Sequence, residues 1–299
     1  MSNTFYLQKR VLVTGGAGFI GSHLVEHLVK QGAGVSVLDD LSSGSMSNIT
    51  NVVNDIVFIH GDITSFQTCL AATQNHAIVF HLAAITSVPD SMAQPRLCFN
   101  ANLKGTYNLL EAARINHVER FIFSSSAAVY GSHEDTCSEK DQCQPQSPYG
   151  ISKLIGEQLC ANYYQLFNLR SLCLRYFNVY SPKKQYNTSS VYARFRAAIV
   201  NNEPLTIFGD GSQTRDFTSV DEVIRANMLL AQLPPNYLTG QPVNIASGHS
   251  RSINHLVEQL KQEFPASQAN ICYQPARSGD IKHSSADIQK YKQLESLVS

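Results

Sequence analysis

The chain has no tryptophan and no net charge: 23 Lys plus Arg are balanced by 23 Asp plus Glu over 299 residues. A neutral balance supplies none of the field that draws nucleic acid or an anionic membrane surface, so neither partner is expected. No apolar run approaches the roughly 20 residues that cross a bilayer. The segment Met1–Arg10 lacks the apolar h-region of a secretory signal, and the expected location is the cytoplasm. Cysteine is present but unpatterned. Cys69, Cys98, Cys137, Cys143, Cys160, Cys173 and Cys272 are odd in number, scattered, and include no C-x-x-C pair. That distribution points to free thiols in a reducing compartment rather than to a disulfide framework or a zinc site. No repeat or low-complexity tract appears. What is there is ordinary globular material, 43% hydrophobic and 15% charged, ample for a sizeable core.

The first half alternates in a regular way. Short apolar runs at Arg10–Thr14, Val35–Leu38, Asp55–His60, Ala77–His81, Arg120–Ser124 and Arg170–Arg175 are separated by helical patterns. The clearest of those patterns are Phe19–Gln31, Ser91–Asn116 and Pro148–Phe167. Continuous apolar strands alternating with helices predict βαβ units and a doubly wound parallel sheet, the Rossmann α/β architecture, covered on both faces. After Asn178 the pattern changes. Tyr180–Ser190 is polar, carries Pro182 and reads as a loop. Short helices at Tyr192–Val200, Asp221–Gln232 and Ile253–Phe264 then mix with brief strands, and a last helix begins near Ile288. The expected division is a dinucleotide-binding domain over 1–178 and a smaller α/β substrate lobe over 179–299, the two interleaved.

Thr14-Gly-Gly-Ala-Gly-Phe-Ile-Gly21 satisfies two glycine templates, Gly16-x-Gly18-x-x-Gly21 and Gly15-x-x-Gly18-x-x-Gly21. A bare glycine pattern says little. This one follows the first strand and opens the first helix, which is the context that gives it meaning. There the backbone must turn tightly and approach a pyrophosphate, whose charge meets the N–H groups and positive dipole end of the helix. Asp39, at the end of the second strand, is positioned to accept hydrogen bonds from an adenosine ribose and to repel a 2′-phosphate. No Arg or Lys lies between Asp39 and Asn54, so NAD is expected rather than NADP. Asp40 reads equally well as a cap or as a contact. Asp62, after the third strand, is placed for the adenine, and His81-Leu-Ala83-Ala84 ends the fourth strand with small residues against which a cofactor could lie.

Tyr149-Gly-Ile-Ser-Lys153 puts a phenol and an ammonium four apart on one helix face. A nearby cation favours the phenolate and makes Tyr149 a usable base near neutral pH. Tyr180-Ser-Pro-Lys-Lys184 matches the same spacing, but Pro182 and its loop setting deny it helical geometry. Ser124-Ser125-Ser126, just after the fifth strand, supplies hydroxyls that can bond a reacting oxygen and exchange its proton with Tyr149. His23-Leu-Val-Glu26-His27 matches an inverted zinc motif. No further ligand is placed for it, and it is read as a solvated helix face, with no metal expected.

Together with Arg175-Tyr-Phe-Asn178, these motifs resemble the extended short-chain dehydrogenase/reductase superfamily. Within it the chain is most similar to the UDP-glucose and UDP-N-acetylglucosamine 4-epimerases, from Arg10 to about Lys290. The resemblance implies a tightly held NAD touching Gly15, Gly18, Phe19, Ile20, Gly21, Asp39, Asp62, Ile63, His81, Ala83, Ala84, Asn102, Tyr149 and Lys153. It implies Ser126, Tyr149 and Lys153 as the catalytic residues, the phenolate taking the 4-hydroxyl proton as hydride leaves C4 for the nicotinamide. A transient 4-keto sugar would then be reduced from its other face. Ser87, Ser126, Asn178, Arg215, Arg277, Asp280 and Ser284 would hold the UDP-sugar, arginine suiting a diphosphate by its fork geometry and constant charge. Related dehydratases place an Asp-Glu pair where this chain has Ser126-Ala127, and UDP-glucuronate decarboxylases place an acidic residue there. The Gly-Trp-x-Pro stretch of the family's C-terminus is missing. The expected activity is 4-epimerisation of UDP-N-acetylglucosamine and UDP-N-acetylgalactosamine, with UDP-glucose and UDP-galactose as further substrates. The competing readings are another UDP-sugar modification (a uronic acid 4-epimerase or a decarboxylase) or a catalytically silent NAD-binding regulator. The family's long helices also imply a homodimer.

Overall fold

The computed structural model of the chain describes residues 4–133, 136–181, 190–276 and 282–298. In chain order the first elements are β1 (Arg10–Thr14), α1 (Phe19–Lys30), β2 (Gly34–Asp39), β3 (Ile56–His60), α2 (Phe66–Thr73) and β4 (Ile78–His81). Then come α3 (Val88–Ala93), α4 (Pro95–Phe99), a π turn at Asn100–Lys104, α5 (Gly105–Ile115), β5 (Arg120–Ser126), α6 (Pro148–Phe167) and β6 (Ser171–Tyr176). The remainder is β7 (Val179–Tyr180), α7 (Val191–Asn201), β8 (Leu205–Phe208), β9 (Thr214–Asp216), β10 (Thr218–Ser219) and α8 (Val220–Leu230). It closes with β11 (Thr239–Ile245), β12 (Ser250–Ser252), α9 (Ile253–Glu263), β13 (Ile271–Gln274) and α10 (Gln289–Glu295).

The main sheet has seven strands in the order β11-β6-β5-β4-β1-β2-β3, with every neighbouring pair parallel. Strand order therefore reverses between β1 and β4. At such a point the crossover helices leave to opposite faces and a crevice opens at the carboxyl ends of the strands. Val11, Leu12 and Val13 are all fully buried, because both faces are covered. On one side Leu24, Val25 and Leu28 of α1 share a core with Val223, Ile224 and Leu230 of α8. On the other, Cys69 of α2, Leu109 and Ala113 of α5, and Cys160 and Tyr163 of α6 form the second core.

Two elements from beyond residue 178 belong to this larger body: β11 edges the sheet beside β6, and α8 packs on α1. A separate small core joins α7, α9 and the β8–β13 pair through Phe195, Ile199, Leu205, Ile207, Leu256 and Leu260. The single helix expected over Ser91–Asn116 is instead broken. Pro95 has no N–H to donate and crowds the preceding turn, so α3 ends at Ala93 and α4 restarts with proline in its first turn. The wider π turn follows before α5 begins. Among the described residues no helix is long and apolar enough to cross a membrane.

Candidate active site

The first βα turn is built by glycine where nothing else fits. Gly15 has φ +68, and a Cβ there would stand 2.6 Å from the Ala83 nitrogen. A Cβ on Gly21 would stand 2.1 Å from the Gly15 oxygen. These two glycines let the turn fold onto itself and onto the end of β4. Gly18 differs: its added Cβ would meet only the Gly15 oxygen, at 3.1 Å. It is the N-cap of α1 and contributes no side-chain capping bond. Space therefore remains over the helix N-terminus that begins with Phe19 and Ile20, as an anionic diphosphate requires.

Asp39 is buried, and its carboxylate accepts the Ala17 and Leu41 N–H groups, both at 2.9 Å. Burial pushes its pKa up, while those backbone bonds pull it down. The residue thus braces the glycine turn, and a carboxylate keeps lone pairs for ribose hydroxyls. Asp62 is exposed and closes its own turn, accepting the Thr64 N–H and hydroxyl at 2.7 Å each. Ile63 is buried against Gly105, where a Cβ would come within 2.4 Å of its Cδ1. Ala83 and Ala84 are half-buried at the end of β4. Asn102 is buried in the π turn, and its amide bonds both backbone groups of Ile85 and the Ser152 hydroxyl.

The strand β5 and the helix α6 bring the reactive side chains together. Ser147 caps α6 by accepting the Gly150 N–H at 3.1 Å, and Pro148 begins the helix. Tyr149 and Lys153 follow on one face and are both buried. Burial raises the Tyr149 pKa, and a hydrogen bond with Ser126 lowers it. Burial lowers Lys153 to about 8. The ammonium donates to the Ser124 carbonyl at 2.7 Å and lies 5.0 Å from the Phe123 ring centroid and 5.9 Å from that of Tyr149. Net, burial leaves the Tyr149 phenol above its ordinary range, and the Lys153 ammonium is bonded to the Ser124 carbonyl rather than to the phenol. The three serines divide their tasks by strand alternation. Ser125 points into the protein and donates to Glu157 at 2.5 Å, while the half-buried Ser126 faces the crevice.

The nucleotide-sugar candidates are less uniform. Asn178 is exposed just past β6, its carbonyl holding the Thr218 N–H at 3.1 Å. Arg215 is half-buried on β9 and donates to the Thr214 carbonyl at 2.8 Å. Ser87 caps α3 by accepting the Asp90 N–H at 3.2 Å. Ser284 is buried; its N–H donates to Thr214, the residue before Arg215, and its carbonyl accepts the Ser250 hydroxyl. Arg277, Asp280 and most of the second Tyr-x-x-x-Lys match lie outside the described residues. In the His23–His27 pattern, each Nδ1 bonds the carbonyl one turn back, at 3.0 and 2.8 Å. Among the described residues no three His, Cys, Asp or Glu side chains are grouped to hold a metal.

The glycine turn, the His81–Ala84 segment, the serines and Tyr149 thus meet at the carboxyl ends of β1, β4 and β5, at the point of strand reversal. Residues 11–246 match the NAD dependent epimerase/dehydratase family. The chain belongs to this family. NAD is accordingly its cofactor, and the cradle at Gly18 and the Asp39 carboxylate fit that group. A UDP-N-acetyl-alpha-D-glucosaminuronate decarboxylase of Bacillus cytotoxicus is 32% identical, covering 96% of this chain and 92% of its own. A UDP-N-acetylglucosamine 4-epimerase of Methanobrevibacter ruminantium M1, solved in complex with UDP-N-acetylmuramic acid, superposes with a TM-score of 0.89. It is 35% identical, over 98% of this chain and 96% of that one. A UDP-glucose 4-epimerase of Thermus thermophilus, solved in complex with NAD, gives 0.86 at 32% identity, covering 95% and 92% of the two chains. The chain is therefore an enzyme of the UDP-sugar epimerase group of this NAD-dependent family.

Reading the sequence for this family passed over Glu157, Thr106 and Thr14. Glu157 is buried and holds Arg175 through two hydrogen bonds, Nε at 2.8 Å and Nη2 at 2.7 Å. One signal was available: Glu157 lies four residues beyond Lys153, on the same face of the helix. Thr14 and Thr106 carried no comparable signal, since buried threonine is common.

Proposed function

We propose that this enzyme interconverts the C4 epimers of a UDP-hexose, UDP-N-acetylglucosamine and UDP-N-acetylgalactosamine first, and UDP-glucose and UDP-galactose as well. The observation that carries this reading is the burial of Tyr149 and Lys153 one helical turn apart, the ammonium 5.9 Å from the phenol ring centroid, at the end of the strand that carries Ser126. Bound NAD supplies a reversible hydride acceptor. The chain's own residues do the rest. Tyr149, as phenolate, accepts the 4-hydroxyl proton and later returns it. Ser126 bonds the same sugar oxygen and passes that proton to or from the phenol. Lys153 adds positive charge beside the phenolate. Burial of Tyr149 and Lys153 excludes water from the proton transfer and strengthens each interaction. Arg215, Arg277 and Asp280 are assigned to the nucleotide diphosphate and ribose, with Ser87, Asn178 and Ser284 toward the rest of the substrate. The absence of an acidic side chain at Ser126-Ala127 separates this site from dehydration and decarboxylation. The working location is the cytoplasm. Incubation with a panel of UDP-sugars and identification of the products by NMR tests the reading. Release of carbon dioxide from a UDP-uronic acid, or no conversion of any hexose, would overturn it.

Substrate size has its own test. Ser284 is small and its N–H bonds the Thr214 carbonyl beside Arg215, and we propose that it leaves room for a 2-acetamido group. Ser284→Tyr is expected to reduce turnover of the N-acetylated pair at least ~10-fold more than that of the plain hexoses, since a filled pocket discriminates by about 1–3 kcal/mol. Equal losses on both pairs would remove Ser284 from specificity.

We also propose a two-fold homodimer. Met92, Leu97, Tyr107, Leu166 and Phe167 are each about half exposed or more, on α3, α4, α5 and α6. Large apolar groups exposed on helices that pack against one another mark an interaction surface. Light scattering at micromolar concentration should give twice the chain mass of 33.0 kDa. A monomer there would contradict the assembly.

A further inference from the structure

Five buried polar side chains run from the strand that feeds the glycine turn to the helix that carries Tyr149. Their protons can be ordered uniquely. The Thr106 hydroxyl donates its one hydrogen to the Asn102 carbonyl at 2.6 Å. It can therefore only accept from His81 Nε2, which lies 2.9 Å away and must carry the ring hydrogen. His81 Nδ1 is then an acceptor, and the Thr14 hydroxyl donates to it at 2.8 Å. Thr14 in turn accepts the Ala83 N–H at 3.3 Å, at the backbone that contacts Gly15. From Asn102 the chain continues through its amide to the Ser152 hydroxyl at 3.0 Å, and from Ser152 to the Tyr149 carbonyl at 2.7 Å. His81, Thr14, Thr106, Asn102 and Ser152 are all 2% exposed or less.

We propose that His81 and Thr106 are positioning residues, whose fixed hydrogen-bond order holds the helix bearing Tyr149 and Lys153 in one setting relative to the glycine turn. The reason lies in the topology. The switch point leaves β1 and β4 adjacent, while the catalytic helix packs beyond β5, and the π turn at Asn100–Lys104 is an irregular link between them. An irregular turn has several nearby arrangements. Bonds from both imidazole nitrogens and from the Asn102 amide select one. The rings of Phe121 and Phe123 flank the imidazole, with centroids 5.9 and 5.7 Å away. Burial and the Lys153 charge keep His81 neutral, its pKa pushed down to about 3, so the order does not change over the working pH range. The imidazole is thus a fixed link and not a proton carrier.

This inference rests on the assignment of Tyr149 as the base, and the experiment separates the two. Thr106→Val keeps the shape and removes the acceptor; Thr106→Ser restores it. His81→Asn breaks the same link from the other end while retaining an acceptor for Thr14. In the NAD-loaded full chain, Thr106→Val and His81→Asn are expected to lower kcat by about tenfold or more, because small misplacements of reacting groups are costly. KM and the shape of the kcat–pH profile should stay as in the parent, NAD content should be unchanged in Thr106→Val, and Thr106→Ser should recover most of the rate. A merely structural role would instead lower the melting temperature and NAD content and leave kcat per loaded enzyme unchanged; that result overturns the proposal, as does a Thr106→Ser variant as slow as Thr106→Val. Nitrogen-15 NMR of the imidazoles gives a readout independent of turnover. His81 should show a single Nε2–H tautomer from about pH 5 to 8, and Thr106→Val should shift the Ser152 and Tyr149 amides. A titrating or mixed-tautomer His81 overturns the inference even if no UDP-sugar is turned over, whereas the epimerase reading fails only on the sugars.

Discussion

Tyr149→Phe is expected to lower turnover by roughly 10²–10⁴-fold, the contribution of a positioned proton acceptor. The substitution removes one oxygen from a ring that is only 9% exposed and leaves its packing in place. Lys153 keeps its bond to the Ser124 carbonyl, so the rest of the site stays assembled. The glycine turn and Asp39 are untouched, and NAD content should match the parent. Thermal unfolding, cofactor extraction and a product assay on the best UDP-sugar check the three parts of this expectation. Near-normal epimerisation by a folded, NAD-loaded variant would remove Tyr149 from the mechanism.

Glu157→Ala is expected to destabilise the fold by about 3–5 kcal/mol, because removing one partner strands a buried charge. Arg175 is 3% exposed and Glu157 is 5% exposed, and their side chains meet through two short bonds. Ser125 donates to the same carboxylate, so three hydrogen bonds from two side chains are lost together. Arg175 also stacks on the Tyr130 ring, its Cζ 4.7 Å from the centroid, and the Tyr130 hydroxyl donates to Asn244 on β11. The damage should therefore extend across β5, β6 and β11. Urea unfolding measures it. A paired Glu157→Leu and Arg175→Met change should recover most of the loss, since it removes both charges and their desolvation. A single-variant loss below about 1 kcal/mol would show that the pair carries little of the stability.

Much of this molecule was legible in the residue order because the governing rules are local. Strands buried on both faces read as continuous apolar runs, and β1 and α6 fall on their expected residues, Arg10–Thr14 and Pro148–Phe167. The glycine turn was legible because only residues without a Cβ tolerate its close approaches. Tyr149 and Lys153 were legible because helical periodicity alone puts residues four apart on one face. The helix over Ser91–Asn116 was misread as continuous: a proline and a π turn interrupt it, and apolar periodicity is insensitive to both.

The sequence by itself thus determined the fold class from the alternation of strands and helices, the family and the cofactor from motifs spread along the chain, and the pairing of phenol with ammonium from spacing within one helix. Only the tertiary structure decided that Ser125 turns inward to Glu157, that Asp39 braces the glycine turn, and that β11 and α8 from the second half complete the first body. It alone brought Glu157 to Arg175 across 18 residues, and Thr14 to His81 across 67. Those pairings depend on which strands lie side by side. Strand order is set by how all the elements bury their apolar faces at once, and no single stretch of sequence contains that information.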